Sequence, residues 1–214
     1  EDGTKFYSIL KHLNKNGVED LEKLKMENYF DFPKPVSLIK ELVLGATIFS
    51  KNDNDIILDF FAGSGTTGEA VMQLNAEDGG NRKYILCTNN ENNICEEVTY
   101  QRLKNIQKDL PHNLKYYKTE FIPKFSDDEK SISEKMMEHI RELIELEYAI
   151  DLDGKKHIIL DDEDGLDECI SKIENYGKLF LRSGIFLSRS NQRILEEKEV
   201  STIEIPEYYF REEL

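Results

Sequence analysis

The chain has 214 residues, 39% of them hydrophobic and 33% charged, with a formal net charge of -15. That supplies a core for one ordinary domain or two small ones, while no run approaches the roughly 18 apolar residues of a membrane helix. Cys87, Cys95 and Cys169 are too few and too far apart for a disulfide framework or a Cys-x-x-Cys metal site, and the first residues lack the regions of a signal peptide, so a reducing cytoplasm is expected.

In chain order, residues 4–30 read as a helical lead-in, with Ile9, Leu10 and Leu13 on one face and a turn at Asn16 and Gly17. Pro35 suits the first turn of a second helix carrying Leu38, Ile39, Leu42 and Val43 on one side. Ile56, Ile57 and Leu58 then form a short continuous apolar run, the pattern of a central strand covered on both faces. It ends in Asp59 and opens through Phe60, Phe61 and Ala62 into Gly63, Ser64 and Gly65, whose glycines allow backbone angles closed to larger residues. From Thr66 a helix is expected, its free N–H groups and positive end facing any anionic group over the turn.

A turn signal at Asp78, Gly79, Gly80 and Asn81 leads to a second strand over residues 83–88. Asn93 with Glu96 reads as a capping box for a helix that turns Ile94, Val98, Leu103 and Ile106 inward. Residues 115–122 read as a third strand, and Pro123 with the polar stretch 126–129 marks a break and a helix start. That helix repeats Ile132, Met136, Ile140, Leu143 and Ile144. Strands are then expected at 157–160, around 179–187 and at 200–205, with helices around 166–173 and from about Asn191, an alternation that implies a small parallel α/β unit. His12, His112, His139 and His157 show no metal-ligand spacing and read as surface or packing residues.

Two ligand classes use a glycine turn of this kind. Gly63, Gly65 and Gly68 satisfy the loose G-x-G-x-x-G pattern of dinucleotide sites, but Asp59 to Ala62 stand between the strand and the first glycine. An acid at the strand tip repels pyrophosphate and suits an amino group or a sulfonium, as in S-adenosylmethionine. The phosphate-binding pattern with Gly-Lys is missing, because no lysine follows Gly68. An acid at the end of the second strand would accept bonds from both ribose hydroxyls, and here that role is divided between Asn89 and Glu91.

The run Asp59, Phe60, Phe61, Ala62, Gly63, Ser64, Gly65, Thr66, Thr67 resembles the first cofactor motif of amino-methylating DNA methyltransferases. Phe32, Pro33, Lys34, Pro35, Val36, Ser37, Leu38, Ile39 resembles the motif that precedes it in their beta class. The stretches 75–86 and 89–100 are similar to the modification subunit of type III restriction-modification systems, and the resemblance is dense over about residues 30–110. It implies a partial Rossmann-like methyltransferase sheet at 1–122, and the alternation beyond it makes 123–214 a small acidic α/β C-terminal domain. It implies S-adenosylmethionine as cofactor, bound by Asp59 to Thr67 and by Lys34, Pro35 and Ser37 beside its methionine end, with Asn89 and Glu91 at the ribose. The implied reaction is methyl transfer to the exocyclic amine of adenine, with the amine of cytosine as an alternative.

In that family an acid-Pro-Pro-aromatic loop holds the target amine, yet Pro33, Pro35, Pro111, Pro123 and Pro206 include no adjacent pair. About thirty residues precede Pro33 and the chain starts at Glu1, so a C-terminal part of a longer enzyme is expected, inactive by itself. Tyr208 and Tyr209 after Pro206 lack the acid-Pro-Pro lead and read as packing or tail. Residues 127–214 hold 24 acids against 12 bases, a surface that repels phosphate backbones. DNA is therefore expected as a partner through the parent and weakly or not at all through this chain, with a restriction subunit and a second modification subunit as protein partners. A nucleotide-dependent oxidoreductase and a non-catalytic assembly module are the other two readings.

Overall fold

The computed structural model describes residues 9–48, 50, 54–121 and 132–206, with side chains described from residue 135 onward in the last segment. The chain divides into two compact units, Glu1–Tyr116 and Tyr117–Leu214. Both are mixed α/β, each built on a short parallel sheet.

The first unit begins with α1 (Lys15–Lys23) and α2 (Val36–Thr47). Asn16 and Gly17 lie inside α1 and make no turn, and Ile9 and Leu13 stay exposed, which corrects the expected lead-in over its described part. The reason is close approach: a Cβ on Gly17 would sit 2.1 Å from the Pro33 carbonyl oxygen, so only glycine lets α1 cross the Pro33–Lys34 backbone. On the next turn Asp20 accepts a hydrogen bond from the Val36 backbone N–H at 2.9 Å and so caps α2. Of the apolar face expected on α2, Val43 and Ile39 pack inward whereas Leu42 points to solvent.

Strand β1 (Ile56–Asp59), helix α3 (Thr66–Asp78) and strand β2 (Lys83–Leu86) form a parallel βαβ unit in register from Ile56 opposite Lys83 to Asp59 opposite Leu86. Asn75 fixes the return from α3, giving its amide to the Arg82 carbonyl and accepting from the Arg82 N–H. Ile57, Tyr84 and Leu86 pack on Val43, Val71, Leu74, Met72, Leu103 and Ile106 of the helices. The alternate residues Ile56 and Leu58 keep 45% and 49% of their surface exposed, so β1 is covered on one face, not the two its apolar run implied. An unbroken Ile-Ile-Leu run does not distinguish the two cases by itself.

After β2 a 3₁₀ turn (Glu91–Asn93) leads into a π-helical turn (Cys95–Thr99) and α4 (Tyr100–Ile106). The capping box expected from Asn93 and Glu96 is not formed. Asn90, Asn92 and Asn93 all take left-handed φ, and Asn90 Oδ1 accepts from the Cys95 N–H in its place. Residues 115–121 form no strand; Tyr116 is held instead by an edge contact with the Tyr100 ring and a bond from its hydroxyl to Glu96. Residues 122–131, with Pro123 and the expected helix start, lie outside the described residues, as do Tyr208 and Tyr209.

The second unit contains α5 (Ile132–Met137), α6 (Ile140–Tyr148), β3 (His157–Leu160), α7 (Leu166–Lys172), β4 (Lys178–Leu181), α8 (Arg189–Glu197) and β5 (Ser201–Glu204). The single helix expected from Ile132 onward is broken at Glu138 and His139 into α5 and α6. The sheet is parallel in the order β3-β4-β5. One face packs Leu160, Leu179 and Leu181 against α7 and α8, and the other packs Phe180 against Ile140, Ile144 and Leu152. Strand β4 stops at Leu181, short of the expected 187, because Gly184 at φ +94 turns the chain away. Among the described residues no helix is long and apolar enough to cross a membrane.

Candidate functional site

The parallel ladder carries past the ends of both strands, with Cys87 N–H donating to the Asp59 carbonyl at 2.8 Å and Ala62 N–H to the Cys87 carbonyl at 3.0 Å. The two chain segments then diverge, and a cavity of about 420 Å³ opens between them. Phe60, Phe61 and Gly63 form one side, and Thr88, Asn89, Glu91, Asn92 and Ile94 the other. A crevice beyond the C-terminal ends of parallel strands is where open α/β sheets receive ligands. Among the described residues that line it, Glu91 is the one charged side chain, and neither lysine nor arginine is among them.

Asp59 does two jobs in the turn. Its Oδ1 accepts from the Phe61 N–H at 2.9 Å, and its Oδ2 accepts from the Thr67 hydroxyl at 2.6 Å, tying the strand tip to the start of α3. Gly63 and Gly65 sit at φ +50° and +78°, and the Gly65 N–H closes the turn on the Ala62 carbonyl at 2.7 Å. Gly68, third in the dinucleotide-like pattern, lies inside α3 against the side chains of Leu103, Leu86 and Tyr84. Burial of the Tyr84 phenol among those neighbours pushes its pKa up to about 12.

Of the residues singled out in the sequence, Phe60, Phe61, Gly63, Asn89 and Glu91 meet at the cavity. Ser64, Thr66 and Thr67 are instead buried behind it, where their hydroxyls wire the turn to its surroundings. The Thr66 hydroxyl donates to the Lys34 carbonyl at 3.2 Å, so the Lys-Pro motif and the glycine turn are directly joined. The Lys34 and Ser37 side chains face outward and Pro35 is fully buried; none of the three is on the cavity wall. Ser37 Oγ lies 2.9 Å from His12 Nδ1, whose Nε2 lies 2.7 Å from Glu41.

The loop after β2 is built from side-chain acceptors. Thr88 Oγ1 accepts from the Asn90 N–H, Asn89 Oδ1 from the Glu91 N–H and Asn90 Oδ1 from the Cys95 N–H. Three asparagines tolerate the left-handed backbone that brings residues 89–92 to the cavity. Residues missed in the sequence are Thr88, Asn92 and Ile94 on the wall and, behind the turn, Thr99, Glu69 and Arg102. Thr99 donates to the Gly63 carbonyl at 2.7 Å, and fully buried Arg102 bonds Glu69, Ser64 and Thr66. One signal pointed to Arg102: it falls midway between inward-facing Val98 and Ile106 at helical spacing. Among the described residues no group of His, Cys, Asp and Glu is arranged to hold a metal.

A βαβ unit with a glycine turn, an acid at the first strand tip and a polar loop after the second places this cleft beyond the strand ends of an α/β scaffold. Residues 3–100 match the family model described as DNA methylase. The type III restriction-modification enzyme StyLTI Mod subunit of Salmonella typhimurium is 41% identical over 100 residues, which is 45% of this chain and 15% of that protein. The EcoPI Mod subunit of Escherichia phage P1 is 47% identical over 72 residues, 34% of this chain and 10% of its own length. The type II methyltransferase M.KpnI of Klebsiella pneumoniae is 34% identical over 117 residues, 49% of this chain and 27% of that enzyme. The similarity to DNA methylases is thus confined to the first half of the chain, and the chain spans between a tenth and about a quarter of the curated relatives it matches.

Proposed function

We propose that the first unit carries the S-adenosylmethionine cleft of a type III-like modification methyltransferase, which in the whole protein methylates the exocyclic amine of adenine in DNA. The observation that carries this reading is the cavity wall: an acid, an asparagine pair and two phenylalanines, with no basic side chain among the described lining residues to neutralise a pyrophosphate. That donor set fits a nucleoside with a positively charged sulfur. When bound, the cofactor supplies an electrophilic methyl group on a sulfonium. Glu91 would accept from the ribose hydroxyls, because one carboxylate can take both, while Asn89 Oδ1 orients the loop through the Glu91 N–H. Phe60 and Phe61, 65% and 92% exposed, supply apolar wall for the flat and alkyl parts of the ligand. Asp59 holds the turn in shape and adds negative charge near its mouth. Lys34 and Ser37 are assigned to the methionine end by resemblance, and β1-α3-β2 to the first βαβ unit of a Rossmann-like methyltransferase sheet.

No Pro-Pro pair occurs in this sequence, so the loop that grips the target amine is assigned to another part of the whole protein. The acidic residues 127–214 are assigned to assembly with a restriction subunit or a second modification subunit, since their net negative charge opposes contact with DNA. Calorimetric titration of the chain with S-adenosylhomocysteine and, separately, NAD⁺ tests the cleft. Saturable binding of the former with a Kd of about 1 mM or tighter, and none of the latter, is the expected result. Preference for NAD⁺ would establish the oxidoreductase reading, and a folded chain that binds neither would establish the assembly-module reading.

A further inference from the structure

We propose that Arg102 and Glu69 are a buried positioning pair that locks the glycine turn to the Lys34 backbone and so sets the shape of the cleft. The ligand-affinity part of this proposal rests on the methyltransferase reading above; the locking itself does not. Arg102 is 0% exposed. Its Nε donates to Glu69 Oε2 at 2.7 Å, and its Nη1 donates to Ser64 Oγ and Thr66 Oγ1, each at 2.9 Å, with the Ser64 carbonyl at 3.4 Å. Gln73 holds the other Glu69 oxygen at 3.0 Å. Thr66 passes the connection on to the Lys34 carbonyl, while Thr99, one turn before Arg102, holds the Gly63 carbonyl. A single guanidinium therefore joins α4, α3, the glycine turn and the Lys-Pro motif, and Gly63 of that turn is cavity wall.

Energetics separates positioning from simple stabilisation. Burying an arginine–carboxylate pair costs desolvation that its attraction barely recovers, and Arg102 Nη2 has no hydrogen-bond partner among the described residues, which adds to the cost. Apolar side chains of similar volume would fill the space as stably. They would not aim donors at two hydroxyls and a carbonyl, which the planar fork of arginine does and the point charge of lysine does not.

The test uses the full chain in three forms: wild type, Arg102→Lys, and Arg102→Met combined with Glu69→Leu. Urea unfolding gives stability, S-adenosylhomocysteine titration gives affinity, and amide NMR without ligand reports the turn. The Met/Leu pair is expected to unfold at or above the wild-type midpoint, to shift or broaden the Gly63, Gly65 and Lys34 amide signals, and to bind about tenfold more weakly. Arg102→Lys is expected to show the same amide changes and the same loss of affinity. Unchanged amide signals in the Met/Leu pair, or affinity in every variant explained by its unfolded fraction alone, would overturn the proposal. If the wild type binds no S-adenosylhomocysteine, the cofactor reading falls, and the NMR comparison still decides the locking.

Discussion

Single carboxylates do more structural work here than their exposure implies. Asp59 places a charge at a strand tip and also accepts from Phe61 and Thr67, so the acid shapes the turn it marks. Asp153 is the parallel case in the second unit. Its Oδ1 accepts from the backbone N–H groups of Lys155, Lys156 and His157 at 2.8–3.0 Å, led by His157, and these bonds lower its pKa from 3.8 to about 2. A carboxylate held below its ordinary value stabilises the fold above pH 4 and loses that contribution as pH falls toward 2. Asp153→Ala is therefore expected to cost about 1 kcal/mol at pH 7, after allowance for solvent screening. Urea titrations of mutant and wild type should differ at pH 7 and converge near pH 2.

At the level of elements, α1 is fitted to the Lys-Pro motif by one missing methyl group. Helix propensity favours Gly17→Ala by about 1 kcal/mol. Close approach opposes it, because the new Cβ would lie 2.1 Å from a backbone oxygen that cannot swing away. Steric cost wins: the variant is expected to be destabilised by about 1–3 kcal/mol in urea unfolding, with a matching disturbance of the Lys34–Val36 amide signals. This contact also explains what could be read in the sequence. Strands β1, β2 and β3 and helix α3 were legible because apolar runs and glycine turns are local signals. Gly17 looked like a turn because the backbone that requires it lies sixteen residues away. The aromatic stretch 115–121 looked like a strand, although its Tyr116 is held by side-chain contacts with Tyr100 and Glu96. In the cleft, Phe60, Phe61, Gly63, Asn89 and Glu91 could be singled out beside the strand ends whereas Thr88 could not, and Arg102 carried only the signal of one more inward position at helical spacing.

For the whole molecule, the cavity is built entirely from residues of Glu1–Tyr116, whereas the best-covered strand, β4, belongs to Tyr117–Leu214. Leu179→Ala, at a fully buried position of β4, is expected to cost about 2–5 kcal/mol in the second unit. Nucleoside affinity should change by less than about twofold, as measured by titration at a temperature where the variant is folded. A tenfold loss would show the units to be energetically coupled.

The parallel pairing of β1 with β2 has a kinetic side. Two parallel strands cannot be joined by a tight turn, so their ladder exists only while α3 bridges them. The amide protons of Lys83 and Cys87, which donate across that ladder, should then exchange with deuterium at the rate set by detachment of α3, and a ligand gripping the glycine turn should slow all of them together.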